Sequence, residues 1–295
     1  MSALPSPRFL AQVAVTLLLA WLAAQLCLVL HTPLPWMLGP LISVSLASIA
    51  GAPTQSWGRL RNLGQWTIGG ALGLYFTPAV TALVAGLWWA IALAIGWVLL
   101  LGWAFGRWLY RVQAPSMLQL PDMTQARLRA TTYFSGSIGA ASEMTLLAER
   151  AGARTDLVAA AHSVRMAVVV LSIPFAMQWA KQHWGLQALD MTPPTARAAE
   201  WPGLLWLVLA TGLGAMAMRL TGRANPWFIG ALLAAMALAM AGVHWSSVPT
   251  ALTNAAQLVI GISLGVRFSR QFLRAAPRWL GAAALGTAGM IVACA

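Results

Sequence analysis

Charge is what this chain has least of. Aspartate and glutamate together number 6 in 295 residues, and all charged residues make up 8%. A soluble domain carries roughly 25% charged residues. So few charges leave too little to cover a water-facing surface, and the surface is expected to face lipid. Cysteine is scarce as well. Cys27 and Cys294 both lie in apolar runs, which excludes a disulfide framework and a cysteine zinc motif. The four histidines, at 31, 162, 183 and 244, are scattered. No H-E-x-x-H spacing, Walker A sequence or compelling dinucleotide-binding glycine pattern is present. No metal, no cofactor and no catalytic residue is therefore expected.

Hydrophobicity fills the space that charge leaves: 60% of residues are hydrophobic, 16 are Trp, and the net charge is +12. A positive excess can serve nucleic acid, but here the arginines lie in short gaps between apolar runs, the pattern of cytoplasmic membrane loops. They form no single recognition face, and direct nucleic-acid binding is not expected. Apolar segments run over 9–30, 35–51, 62–77, 79–106, 131–149, 156–180, 202–219, 225–242, 254–268 and 277–295. A lipid-exposed span must satisfy its own backbone hydrogen bonds, so helices are the default. The expected fold is all-α, a polytopic membrane helical bundle. The first run follows Arg8, is too long for a signal-peptide core and lacks a cleavage site before His31-Thr32-Pro33; it reads as a retained span.

Two stretches are the same segment written twice. Pro35-Trp36-x-x-Gly39-x-Leu41 recurs as Pro226-Trp227-x-x-Gly230-x-Leu232, and each run closes on Ala-Gly. Next, Asn62-x-x-Gln65-x-x-Ile68-Gly69-x-x-Leu72-Gly73-x-x-Phe76 recurs as Asn254-x-x-Gln257-x-x-Ile260-Gly261-x-x-Leu264-Gly265-x-x-Phe268. Arginine placement orients the copies. Arg8, the pair Arg59/Arg61, and the runs 107–129 and 150–154 are read as inside, as are Arg219/Arg223 and the run 267–278. The gaps 31–34, 77–78 and 243–253 hold no Lys or Arg and are read as outside. Segment 131–149 has arginine on both flanks, and is read as a hairpin or broken segment that enters and leaves on the inner side. The first Pro-Trp segment then runs inward and the second outward. An inverted repeat is the usual frame of a transporter. The expected organisation is a first membrane repeat over 1–181 (about five crossings plus the re-entrant or broken 131–149), a connecting loop over 182–201 and a second repeat over 202–295. The second copy is expected to be incomplete, since Ala295 stands where Trp103 does.

The ionisable residues away from obvious loops concentrate in one place, Glu143, then Glu149, Asp156, His162 and Arg165, with Ser142 beside Glu143. Charge within a span is costly and marks a functional candidate. Glu143 could hold a cation or proton, or pair with Arg165, and Arg165 could clamp an anionic substrate. His162 and Arg165 are three apart and share a helix face. The plainer alternative is that Glu143 sits at an interface and Arg165 snorkels or pairs with it. Gly69/Gly73 and Gly261/Gly265 have i, i+4 spacing and read first as close helix packing. The recurring amides Asn62/Gln65 and Asn254/Gln257 read equally well as groups meeting at a pseudo-symmetry axis or as caps and interhelical hydrogen bonds.

Residues 131–174, from Thr-Thr-Tyr-Phe-Ser-Gly-Ser-Ile-Gly-Ala-Ala-Ser-Glu-Met through His162-Ser163-Val164-Arg165 to Pro174, resemble the signature of the AbrB family of duplicated-domain bacterial membrane proteins. The duplicated Pro-Trp-x-x-Gly segment and the Gln-x-x-x-Gly-x-x-x-Gly helix extend the resemblance over nearly the whole chain. Where the family reads Pro-Gly-Gly before Ser-Glu-Met, this chain has Ile138-Gly139-Ala140. The resemblance implies a multi-pass protein of the bacterial inner membrane, a link to regulation of gene expression, and a fold related to cation/proton-antiporter-like transporters. It also brings the label of ammonia monooxygenase that many members carry, for which the His and Cys placement offers no site. The function expected is transporter-like, with a small solute or ion as partner beside the lipid bilayer. The alternative is a membrane-bound regulator or sensor acting through a partner. The N-terminus is expected to be cytoplasmic, and homo-oligomer formation is left open.

Overall fold

The computed structural model describes residues 6–184, 200–243 and 245–294. Of the connecting loop expected at 182–201, residues 185–199 lie outside them. Every regular element among the described residues is a helix: α1 (Pro7–Val29), α2 (Pro35–Ala50), α3 (Gly58–Gly73), α4 (Pro78–Gly86), α5 (Trp88–Met117), α6 (Gln125–Gly136), α7 (Ala141–Arg150), α8 (Thr155–Trp184), α9 (Trp201–Leu220), α10 (Pro226–Met240), α11 (Thr250–Gly265), α12 (Arg270–Ala275) and α13 (Pro277–Cys294). By length and composition α1, α5, α8 and α9 can each cross a membrane, and α3 with α4 makes a fifth candidate bent by 79°. The chain is an all-α membrane helical protein. The apolar run expected as one segment over 79–106 is divided: α4 ends at Gly86, α5 starts at Trp88 and continues to Met117. Gly86 is a weak helix former, and after Leu87 come two bulky indoles, Trp88 and Trp89.

The helices pack as two units. One comprises Met1–Gly86 and Pro174–Ser269, the other Leu87–Ile173 and Arg270–Ala295. This grouping follows packing and cuts across the two halves of the sequence.

Both copies of the repeat lie in the first unit, and they share backbone detail as well as sequence. Leu34 (φ 47°) and Asn225 (φ 51°) sit in the left-handed region at the entry to α2 and α10. Each precedes a proline, which disfavours the right-handed helical region for the residue before it. The Ala-Gly closures also share a geometry, since Gly51 (φ 94°) and Gly242 (φ 71°) both adopt positive φ. That conformation is open to glycine without a Cβ penalty.

The copies interlock by exchanging partners. α3 packs on α10, and α2 on α11. Along α3, Gln65, Gly69 and Gly73 meet Asn225, Phe228 and Leu232 in rising order, so α3 and α10 run the same way. Likewise Gly261 and Gly265 of α11 meet Met37 and Leu41 of α2. Glycine is required at these crossings. A Cβ at Gly261 would stand 2.7 Å from the Met37 carbonyl oxygen, and one at Gly69 would press into that of Phe228. Without side chains the helices approach backbone to backbone.

Inversion follows from the same contacts. The loop after α2 stays at the end where α2 stopped: Ser48 and Thr54 share a short hydrogen bond, and Gln55 N donates to Thr16 Oγ1 of α1 at 3.1 Å. Helix α3 therefore departs in the sense opposite to α2. Because α10 runs with α3, the second Pro-Trp helix is reversed relative to the first.

In the second unit α5 packs antiparallel on α6 through glycine. A Cβ at Gly136 would stand 2.6 Å from the Gly102 carbonyl oxygen, and one at Gly106 would stand 3.0 Å from that of Thr132. The core of this unit gathers Phe105, Leu109, Met123, Leu128, Leu157 and Trp279. Trp279 is fully buried, and its indole N–H donates to the Leu157 carbonyl at 3.0 Å, which fixes the start of α8 against α13. An indole buried this deeply needs such an acceptor.

Candidate functional site

The apolar stretch 131–149 is two short helices that fold back on each other within the second unit. Helix α6 begins after Thr124, whose hydroxyl accepts from Arg127 N at 3.2 Å, and it ends at Gly136. Residues 137–140 break the helix, and α7 returns to Arg150. The return is fixed at its far end, where Arg154 N donates to Thr131 Oγ1 at 3.0 Å. A cluster of Ala148, Ala153 and Val158, with Ala130, Phe134 and Met144 against it, fills the space between the arms. Gly139 lets the Met144 side chain lie over the tip, where a Cβ would stand 2.9 Å from its methyl carbon.

Helix α8 then rises beside α6 and secures the broken end. The last four carbonyls of a helix have no intrahelical donor, and each one here is engaged. Tyr133 O accepts from Ser137 N and Oγ, both at 2.8 Å. Phe134 O takes His162 Nε2 at 3.0 Å. Ser135 O and Gly136 O accept from Arg165 Nη2 at 2.5 and 3.2 Å, and the next carbonyl, of Ser137, accepts from Arg165 Nη1 at 2.9 Å. The guanidinium also lies over the Phe105 ring, 5.4 Å from its centroid. A cation at this position opposes the negative end of the helix dipole. Its planar fork suits several acceptors at once.

On the other side of the break, α7 opens without a side-chain cap at Ala140. Its first backbone hydrogen bond is Met144 N to Ala140 O at 2.9 Å, so the N–H groups of Ala141, Ser142 and Glu143 precede the helical ladder. Glu143 is half-buried in that first turn and Ser142 is exposed. A carboxylate in the first turn is favoured by the helix dipole. Glu143 and Arg165 form no ion pair. The guanidinium is held by carbonyls, while the ion pair of this region joins Arg154 to Asp156 at 2.5 Å beside the α8 start.

The structure thus brings His162 and Arg165 together on the end of α6, and it sets Ser142 and Glu143 at the start of α7. The repeat residues lie elsewhere, in the first unit. Gly69, Gly73, Gly261 and Gly265 line the two crossings between copies. Gln65 Nε2 donates to Asn225 Oδ1 at 3.4 Å. The Asn62 amide, oriented to satisfy its neighbours, accepts from Trp227 Nε1 at 3.2 Å and donates to Gly58 O at 3.3 Å. These amides tie the first copy to the Pro-Trp helix of the second. Asn254 and Gln257 hold the equivalent places on α11, with no side-chain hydrogen bond to a described residue. Sequence reasoning placed Asp156 in the ionisable cluster but missed Thr131 and Trp279, which fix the hairpin base and the start of α8. Buried tryptophan and a Ser/Thr-rich helix were the only signals, and neither names a partner. Among the described residues no three His, Cys, Asp or Glu gather as a metal site.

The sequence matches the family model described as "Transition state regulatory protein AbrB" over residues 36–295. It is 24% identical over 281 residues to the "Uncharacterized protein YhjN" of Bacillus subtilis (strain 168), an alignment covering 88% of this chain and 69% of that protein. No solved structure matches. The family match takes in α2 from Trp36 onward, α10, the α6–α7 hairpin and the whole of α8, and on that extent the chain belongs to the AbrB family.

Proposed function

We infer that this protein moves a small solute or ion across the bacterial inner membrane, with its N-terminus in the cytoplasm. The observation that carries the reading is the broken hairpin. One half-helix ends on carbonyls neutralised by Arg165 and His162, and the other begins with Glu143 beside uncapped amides. Broken helices in membranes are tolerated where they are covered by protein or line a cavity, and in transporters their ends form the binding sites. With the α6 carbonyls occupied, the group left to exchange a proton or hold a cation at the break is the Glu143 carboxylate. The inverted, glycine-packed repeat supports the same reading, since inverted repeats support alternating access.

The test is flux into proteoliposomes under proton and sodium gradients, across ions, organic anions and amines. Wild-type protein should carry at least one class, and Glu143→Gln should lose coupled flux while remaining monodisperse in detergent. Well-folded wild-type protein that carries none of them would sink the reading.

A second reading is favoured by the family description, which names a transition state regulatory protein. On it, the chain acts as a membrane-bound regulator through a partner. Transcript profiles of a deletion strain and of a strain carrying Glu143→Gln separate the two. A regulator without transport changes transcripts on deletion, yet the purified protein shows no flux.

A further inference from the structure

The second unit carries a strongly basic end that neither the hairpin tip nor the repeat uses. Four helix termini meet there. Gln113 near the end of α5 donates to the carbonyl of Arg278 at the start of α13, at 3.1 Å. Arg129 near the start of α6 lies over Tyr110 of α5, 5.8 Å from its centroid. The end of α7 is tied to the same place through the hydrogen bond of Arg154 N to Thr131. Arg107, Arg111, Arg129, Arg150 and Arg278 are all exposed at this end. Acid does little to balance them. Asp156 is taken by Arg154, leaving Asp122 and Glu149.

The level of this end in a bilayer follows from helix length. Helix α5 has 30 residues, which is about 45 Å at 1.5 Å per residue, against a hydrocarbon core of about 30 Å. The excess of about 15 Å is assigned by charge to the C-terminal turns, which carry Arg107 and Arg111, because the other end of α5 starts in an apolar run at Trp88. Aromatic rings stand among the arginines. Arg107 lies over Trp103 at 5.8 Å, and Trp108 and Tyr110 flank it. Tryptophan and tyrosine at that depth mark the membrane interface. Guanidinium groups parked on interfacial rings are poised for phosphate at the same depth, where each arginine adds to the attraction for anionic lipid.

We propose that this end of the unit, centred on Arg107, Arg111 and Arg129, is a binding surface for the headgroups of anionic phospholipids. The occupant is lipid and not nucleic acid, because the basic groups are interleaved with interfacial aromatics at the level where lipid phosphates lie. The lipid is a bound partner here and takes no part in the flux reading above.

The experiment titrates the purified full chain in detergent with phosphatidylglycerol or phosphatidylcholine and counts retained lipid by native mass spectrometry. Phosphatidylglycerol should be retained more tightly, by about tenfold or more, with the preference falling as salt rises. Replacing Arg107, Arg111 and Arg129 together with Gln should lower phosphatidylglycerol binding by on the order of a hundredfold, and replacing them with Lys should keep most of it. Equal retention of the two lipids would overturn the proposal, as would a preference that survives the triple Gln change. If the triple variant does not fold, the wild-type lipid ratio and its salt dependence still decide. A further arm adds a short single-stranded oligonucleotide; displacement of phosphatidylglycerol by it at equal concentration also overturns the lipid assignment.

Discussion

Arg165 on α8 donates through Nη2 to the carbonyl oxygen of Ser135, near the end of α6, at 2.5 Å. The contact completes a set, since the same side chain also satisfies Gly136 and Ser137. In apolar surroundings a helix that stops half-way leaves carbonyls that water does not reach, and each unsatisfied group costs several kcal/mol. Arg165 and His162 are what allow the break at 137–140 to exist. The hairpin is thus positioned by α8, and a motion of α8 would be felt at the tip.

Removing the guanidinium should therefore be costly. Arg165→Gln is expected to destabilise the fold by about 3 kcal/mol or more, because several charge-assisted bonds go at once and carbonyls are left bare. Arg165→Lys keeps the charge but gathers its donors on one nitrogen at the end of a shorter side chain, where Arg165 spreads them over Nη1 and Nη2, and should fall in between. His162→Ala removes a single bond to Phe134 O, at a cost of about 1 kcal/mol. Thermal unfolding in detergent orders the three. Arg165→Gln as stable as His162→Ala would show that the carbonyls find other donors.

The glycines of the two crossings should respond as a symmetric pair. Gly69→Ala and Gly261→Ala both drive a methyl into a backbone carbonyl, and overpacking of this kind costs about 1–3 kcal/mol. Gly281→Ala is the control, because a Cβ there meets nothing within 4 Å. Loss of thermal stability in the first two, with none in the third, is the expected pattern. A neutral Gly69→Ala would mean that α3 and α10 can slide apart without penalty.

The helical membrane fold was legible because composition and hydrophobic run length report directly on the solvent. The duplication was legible in the recurring Pro-Trp and Asn-Gln-Gly letters; its reversed sense was suggested by arginine placement alone, and in the fold it comes from the packing of α3 on α10. The partners inside the fold were not legible. Nothing in the letters around Arg165 distinguishes a carboxylate partner from a row of carbonyls, because every residue carries a carbonyl. Glu143 invites a pairing by sign of charge alone, and the break at 137–140 puts the α6 carbonyls within reach of Arg165 instead. The packing units escaped for a similar reason. Helix α13 belongs with α5 through contacts such as Trp97 Nε1 to Ala293 O at 3.1 Å, across 196 positions, and no local pattern encodes a pairing at that separation.

Sidedness gives a direct check on the inverted reading. In a background with Cys27 and Cys294 replaced by serine, Gln55→Cys and Ser247→Cys should label from opposite faces of the membrane with an impermeant maleimide. Gln55 follows the first Pro-Trp helix and Ser247 follows the second, so reversed copies put the two loops on different sides. Labelling of both from one side would contradict the reversal of α10 relative to α2.

Leu34 holds the last prediction, because the two copies disagree in sequence at a place where they agree in backbone. Leu34 has φ 47° and Asn225 has φ 51°. The left-handed region costs an ordinary L-residue roughly 1–2 kcal/mol, and asparagine tolerates it better than leucine. Leu34 is 43% exposed, so little packing is lost on replacing it. Leu34→Asn should therefore stabilise the protein by up to about 1 kcal/mol, making the first copy like the second. The reciprocal Asn225→Leu should destabilise by about the same amount, and further through loss of the acceptor for Gln65. A paired measurement of thermal stability tests both signs. If Leu34→Asn lowers stability as Leu34→Ala does, the leucine side chain contributes more at this corner than the backbone strain it carries.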